Sequence, residues 1–301
     1  MTDLSVVIPT YNQADLLREC LRAIREQTLD PSAYEIIVVD DGSTDHTARV
    51  LGEADHTVVV RLPTNRGRSA ARNAGIARSR GPLVVFIDSD VVVRRDFLSR
   101  HLAVQRRFGP GTLSRGPVVM VPDARTARLA RIPPFVFSPA YLDTANACLE
   151  KHTLERAGMF DERFSTYGWE DFELGMRLRR LGVRRVFCRD AVGFHVQPRD
   201  DAPLTALLRK EEERARSAVY FFDKHPTLET RMLIQATGLH TVLFWLQSGC
   251  GRLTTRNVAA VTRRLSSSGL HGLAYVLLRG VLNRHYLRTL RAELRRHAAQ
   301  A

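Results

Sequence analysis

Paired cysteines are missing from this chain. The four it has, Cys20, Cys148, Cys188 and Cys250, stand singly with no CxxC spacing, which suits reduced thiols packed as small hydrophobes and excludes a disulfide framework or a cysteine zinc site. A secretory leader pattern is lacking too, because MTDLSVVIPTYN places Asp3 and Pro9 where a basic region and a long apolar run belong. The expected location is therefore cytoplasmic. There is no internal repeat and no low-complexity tract, so a solenoid is excluded. Acidic residues become scarce late in the chain: from Pro203 onward 16 Arg and Lys face 6 Asp and Glu, which puts +10 of the formal +13 there. Such a segment suits anionic lipid, a phosphorylated acceptor or a solvated face. Nucleic-acid binding, which charge alone would suggest, has no recognisable motif.

What is present begins with 301 residues, 44% hydrophobic and 26% charged, enough for one large domain with an appendage. Strand-length apolar runs alternate with helix-period segments through the first half, the signature of βαβ units around a mainly parallel sheet. Leu4 to Ile8 reads as a strand stopped by Pro9, and Leu16, Leu17, Cys20, Leu21 and Ile24 share one helical face. Glu35 to Val39 ends in Asp40-Asp41-Gly42, with Ser43 or Asp45 as cap of a short helix. Thr57 to Leu62 is a third run, Gly67 to Arg80 a helix closed by Gly81, and Leu83 to Ile87 a buried strand entering Asp88-Ser89-Asp90. A helix from Asp96 to Phe108, a strand near Pro117 to Val121, a Pro-rich loop around Ile132 to Pro139 and a helix from Trp169 to Leu181 follow, then Ala191 to Val196 with His195. Polar residues thus gather at strand carboxyl ends, where open α/β sheets place ligands.

Asp88 and Asp90, two apart on an extended segment, point to one side and can share a hard cation such as Mg²⁺ or Mn²⁺. The same pair is also ordinary at a strand-end turn. Asp40 and Asp41 can accept from a base or a ribose, Arg72 can face a pyrophosphate or anchor the Asp pair, and Glu170-Asp171 suits a helix start on dipole grounds alone.

Taken in order, VVIPTYNQADLL (6–17), VVDDGSTD (38–45), NRG (65–67), ARNAG (71–75), FIDSD (86–90), FDERF (160–164), GWEDFELGMRLRRLG (168–182) and His195 resemble the family-2 glycosyltransferases with the GT-A fold. The resemblance spans about Leu4 to Val196. It implies an α/β fold with a Rossmann-like, mainly parallel sheet flanked by helices and a C-terminal α-helical extension. It also implies a catalytic domain over 1–202, with 1–110 holding the nucleotide-sugar and 111–202 facing the acceptor, and a basic helical region over 203–301. It places Pro9, Thr10, Tyr11, Asn12, Asp40, Asp41, Asn65, Gly67, Arg72, Asp88 and Ser89 at the nucleotide-sugar, and Asn146, Trp169 and Glu170 on the acceptor side. Asp90, Asp88 and His195 become the ligands of Mn²⁺ or Mg²⁺, and Asp171, beside Glu170, the general base of an inverting transfer from a nucleotide diphosphate-sugar, UDP first, to an acceptor hydroxyl. The acceptor is a lipid-linked saccharide, a polysaccharide of the cell envelope or a small metabolite. Two rivals stand beside this reading. A sugar-phosphate nucleotidyltransferase would carry a Gly-rich basic loop where Pro9-Thr10-Tyr11-Asn12 stands, and a non-catalytic sugar-nucleotide scaffold would make Asp171 dispensable.

The last third offers Met232 to Gly251, free of Asp, Glu, Lys and Arg but diluted by Gln235, Thr237, His240, Thr241, Gln247 and Ser248, which reads as a buried or interfacial helix. Leu270 to Leu290 mixes apolar residues with Arg279, Arg284 and Arg288. Together they predict a basic amphipathic unit that lies on the inner membrane surface or pairs with another subunit as a homo-oligomer.

Overall fold

In a computed structural model that describes residues 2–130, 132, 138, 140–166, 168–197 and 203–300, the chain divides into two units. One holds residues 1–165 with 170–200, and the other 166–169 with 201–301. The short segment 166–169 therefore joins the helical unit and not the catalytic one expected for it. Most of the Pro-rich stretch 132–139 lies outside the described residues.

In the first unit β1 (Leu4–Thr10) pairs in parallel with β2 (Tyr34–Asp40) and β4 (Leu83–Phe86), and β3 (Thr57–Arg61) adds to β2. Beyond β4 the sheet changes direction. β8 (Ala147–Glu150) runs antiparallel to β4 and to β6 (Thr112–Arg115), and β9 (Arg184–Phe187) lies parallel to β6, so the order is β3-β2-β1-β4-β8-β6-β9. A second sheet joins β5 (Val91–Val93), β10 (Gly193–Val196) and β7 (Val118–Val121) in the order β5-β10-β7.

Both faces of the main sheet are covered, as its unbroken apolar strands require. Leu4, Val6 and Ile8 point to the side of α1 (Ala14–Arg25) and α4 (Phe97–Phe108), while Val7 points to α3 (Arg68–Arg78) and α7 (Glu170–Arg180). α3 lies very close to β1. A Cβ at Gly75 would fall 2.3 Å from Val7 Cγ1, so only glycine lets the helix settle there.

Two local expectations are corrected. The first strand does not stop at Pro9, since Pro9 and Thr10 stay in register with Val39 and Asp40. Val7 accepts from Ile87 on the β4 side. The nitrogen of Pro9, two residues on, turns to that same side just past the end of β4, at the margin of the ladder where proline is tolerated. α3 ends at Arg78, not Arg80, because Ser79 is already extended and hands the chain to β4. In the next connection α2 (Thr47–Gly52) receives its help from Asp45, whose carboxylate accepts from the Thr47 N–H and hydroxyl.

The second unit is helical: α8 (Leu204–Lys224), α9 (Leu228–Leu233), α10 (Gly238–Gln247), α11 (Val258–Ser267) and α12 (His271–Gln300). Its core gathers Ala215, Ala218 and Phe221 of α8, Phe244, Val258, and Val281, Leu282, Tyr286 and Leu290 of α12. The apolar stretch from Met232 is not one helix. Gln235 takes a positive φ of 60° and Thr237 opens α10 afresh. No helix among the described residues is long and apolar enough to cross a membrane.

Candidate active site

The carboxyl ends of β1, β2 and β4 carry Asn12-Gln13, Asp40-Asp41 and Asp88-Ser89-Asp90. These turns are laced to one another. Asn12 takes a positive φ of 52°, a conformation asparagine tolerates, and its side-chain oxygen accepts from the backbone N–H of Thr44 and Asp45. Asp40 accepts from the Ser43 N–H at 2.9 Å, the Ser43 hydroxyl accepts from the Asn12 N–H, and the Ser89 hydroxyl donates to Gln13. Asp41 accepts from the Arg66 and Gly67 N–H groups, both at 2.8 Å, and Asn65 also accepts from Gly67. Gly67 sits at φ 90°, and a Cβ there would meet the Ser165 carbonyl at 2.7 Å. Of the residues expected at the nucleotide, Asn12, Asp41, Asn65, Gly67 and Ser89 thus use these polar groups to shape the loops. Pro9, Thr10 and Asp40 are buried at the strand ends, and Tyr11 alone presents a large exposed side chain there.

Arg72 is the hub. Its guanidinium, 2% exposed, reaches Asp88 at 2.9 Å, Glu170 at 3.2 Å and Asp171 at 3.6 Å, and lies over the Phe160 ring. One helix thereby ties the acidic turn after β4 to the start of α7. Burial opposes ionisation of Asp88, but Arg72, then Arg68, hold its carboxyl below the ordinary carboxylate range. Glu170 is shut away, with Oε2 buried and without a hydrogen-bond partner. It supplies charge to this cluster.

Asp171 differs from Glu170. Oδ2 accepts from the Thr144 N–H at 3.0 Å and from the Thr144 hydroxyl at 2.8 Å, while Oδ1 has no hydrogen-bond partner. The side chain keeps 22% exposure. Desolvation pushes its pKa up to about 7. Arg72 opposes the rise, and Glu170 and Asp143 add to it. A fixed carboxyl whose Oδ1 faces Arg72 at 3.6 Å but accepts no hydrogen bond, and whose pKa lies near neutrality, has what a proton acceptor needs.

On the other side of the Asp-x-Asp turn, Asp90 Oδ2 lies 2.9 Å from His195 Nε2, and this hydrogen bond raises the His195 pKa. Asp90 Oδ1 is buried without a partner. The expected three-residue metal set is not assembled, because Arg72 draws Asp88 away, and no group of three or more His, Cys, Asp or Glu placed to hold an ion occurs among the described residues. The orphan oxygen beside an imidazole still fits Mn²⁺ or Mg²⁺ with two protein ligands, which leaves positions for phosphate oxygens and water.

Two acceptor-side expectations are corrected. Asn146 is fully buried in a closed network: its amide N–H groups donate to the Pro117 and Ala191 carbonyls, and its oxygen accepts from the Gly116 N–H and from His101 Nε2. That fixes the His101 tautomer, and burial drops its pKa to about 4. Asn146→Ala would strand several buried polar groups, so we expect it to cost more than about 3 kcal/mol of stability in urea unfolding. Trp169 belongs to the helical unit, where its indole N–H donates to the Arg214 carbonyl and its ring stacks on Phe221. Thr144 and Asp143 went unseen in the sequence. Asp143 is paired with Arg115 at 3.7 Å, and burial raises its pKa. Neither lies in a motif, and their contacts to Asp171 span 27 residues or more.

Residues 5–128 match the model of glycosyl transferase family 2. Validoxylamine A glucosyltransferase of Streptomyces hygroscopicus subsp. limoneus is 27% identical over 266 residues, 75% of this chain and 57% of that protein. The chain thus spans a little over half the length of that relative. Among solved structures, S. aureus TarS 1–349 in complex with UDP-GlcNAc superposes with a TM-score of 0.59 at 18% identity, covering 97% of this chain and 92% of that one. Mannosyltransferase PcManGT from Pyrobaculum calidifontis, in complex with GDP-Man and Mn²⁺, gives 0.57 at 21% identity, covering 97% and 86%. With its ordered motifs on a sheet of this topology, the chain matches glycosyl transferase family 2 over residues 5–128 and has the GT-A fold.

Proposed function

We propose that this protein transfers a sugar from a nucleoside diphosphate-sugar, UDP foremost, to a hydroxyl of a saccharide or saccharide-like acceptor, with inversion at the anomeric carbon. The observation that carries the reading is the single buried Arg72 joining Asp88 to an Asp171 whose Oδ1 faces that guanidinium at 3.6 Å and accepts no hydrogen bond. The acceptor oxygen bonds to the anomeric carbon as the bond from that carbon to the diphosphate breaks, and the hydroxyl proton passes to Asp171. An alcohol is too weak an acid to ionise beforehand, so the base must act within the transition state. Thr144 keeps that base aimed, and Arg72 and Glu170 fix its charge environment. When bound, Mn²⁺ or Mg²⁺ at Asp90 and His195 supplies positive charge for the departing diphosphate. The UDP-GlcNAc complex of TarS, the Mn²⁺ complex of PcManGT and the name of the validoxylamine A glucosyltransferase support donor class, metal and acceptor class in that order.

The test is a nucleotide-sugar panel with Mn²⁺ or Mg²⁺, scored by protection from thermal unfolding and by release of nucleotide. A UDP-sugar should protect only with metal, and Asp90→Ala should lose that protection. Protection by no nucleotide-sugar, or turnover of UTP with a sugar 1-phosphate, would overturn the assignment.

A further inference from the structure

The helical unit carries a surface that the transfer reaction does not use. Between Glu229 and Glu293 the chain holds no acidic residue and nine arginines, from Arg231 to Arg291. Arg252, Arg256, Arg263, Arg264 and Arg288 are exposed and have no acidic partner among the described residues. The same stretch leaves large apolar side chains in water. On α10, Leu239, Val242, Leu243 and Leu246 follow the i, i+3, i+4, i+7 spacing of one helical face, with Leu239 69% and Leu246 52% exposed, and Trp245 stands beside them at 46%. Leu270, Leu273, Tyr275 and Val276 around the start of α12 are exposed as well. α10 and α12 are bound together within the unit, since Arg291 donates to the Thr241 hydroxyl and Arg284 donates to Ser248 at 3.0 Å.

Contiguous apolar exposure of this kind marks an interaction surface. Its chemistry selects the occupant. A second copy would set one acid-free, arginine-rich stretch against another, whereas an anionic lipid surface accepts leucines into its acyl boundary, holds tryptophan and tyrosine at headgroup level and neutralises arginine. We propose that the α10 to α12 region docks this protein peripherally on an anionic membrane, with α10 lying in the interface plane.

The test uses the full chain with vesicles of phosphatidylcholine alone and with about one third phosphatidylglycerol, read by co-sedimentation and tryptophan emission. Trp169 is buried, so a blue shift reports Trp245. We expect binding to the anionic vesicles only, reduced at least about 10-fold by 0.5 M salt or by combined Arg252→Gln, Arg256→Gln, Arg263→Gln and Arg264→Gln. Leu243→Gln with Leu246→Gln should abolish the blue shift while the melting temperature holds, because both positions are exposed. Equal binding to neutral vesicles, no binding to either, or a concentration-dependent dimer that the double leucine variant dissolves would each overturn the proposal.

Discussion

Asp171→Asn is expected to lower kcat by about 10²–10⁴-fold while metal-dependent protection by the donor stays within a few-fold of the parent. The substitution keeps shape and keeps an oxygen for Thr144 to donate to, so what it removes is the proton acceptor. The parent should show an acid limb in kcat/KM. Desolvation, opposed by Arg72 and reinforced by Glu170 and Asp143, places the Asp171 pKa at about 7, so activity falls as pH drops through neutrality and the base becomes protonated. The residual rate of Asp171→Asn should lack that limb. A variant retaining more than a tenth of parental kcat would remove Asp171 from the chemistry.

Arg72→Met should be the most destabilising single change in the catalytic unit. It leaves Asp88, Glu170 and Asp171 in low dielectric without their shared cation, a class of change that costs about 3–5 kcal/mol. The sign of its pH dependence is fixed. Carboxyls stranded in this way bind protons more tightly folded than unfolded, so the deficit shrinks in acid and widens as pH rises through their elevated folded pKa values. Urea unfolding at pH 5 and pH 8 measures both effects. A loss under 1 kcal/mol with no pH trend would mean that Arg72 is not the charge hub.

Much of this was legible in the chain. Runs such as Leu83 to Ile87 and turns such as Asp88-Ser89-Asp90 are local, and local apolar patterning with turn chemistry specified strand, turn and carboxylate placement within a residue or two. The run from Trp169 to Leu181 located α7 for the same reason. Long-range pairings were not legible. Arg72 meets Glu170 across 98 residues, and Thr144 meets Asp171 across 27, with no periodicity to betray either. Asn146 misled because a buried amide and an exposed ligand-binding amide look identical in a string of letters. β8 hid because four residues, ACLE, are too few to reveal direction.

That short strand has a consequence for how the molecule is made. Among the described residues β8 is the only strand paired with the flank of β4 opposite β1, and it emerges some sixty residues after β4 has been synthesised. Until then the nascent β3-β2-β1-β4 block presents a row of unsatisfied amides and carbonyls, the kind of edge that recruits strangers. A fragment cut at residue 128 would lack β8 and keep that flank of β4 without the partner it has in the whole sheet.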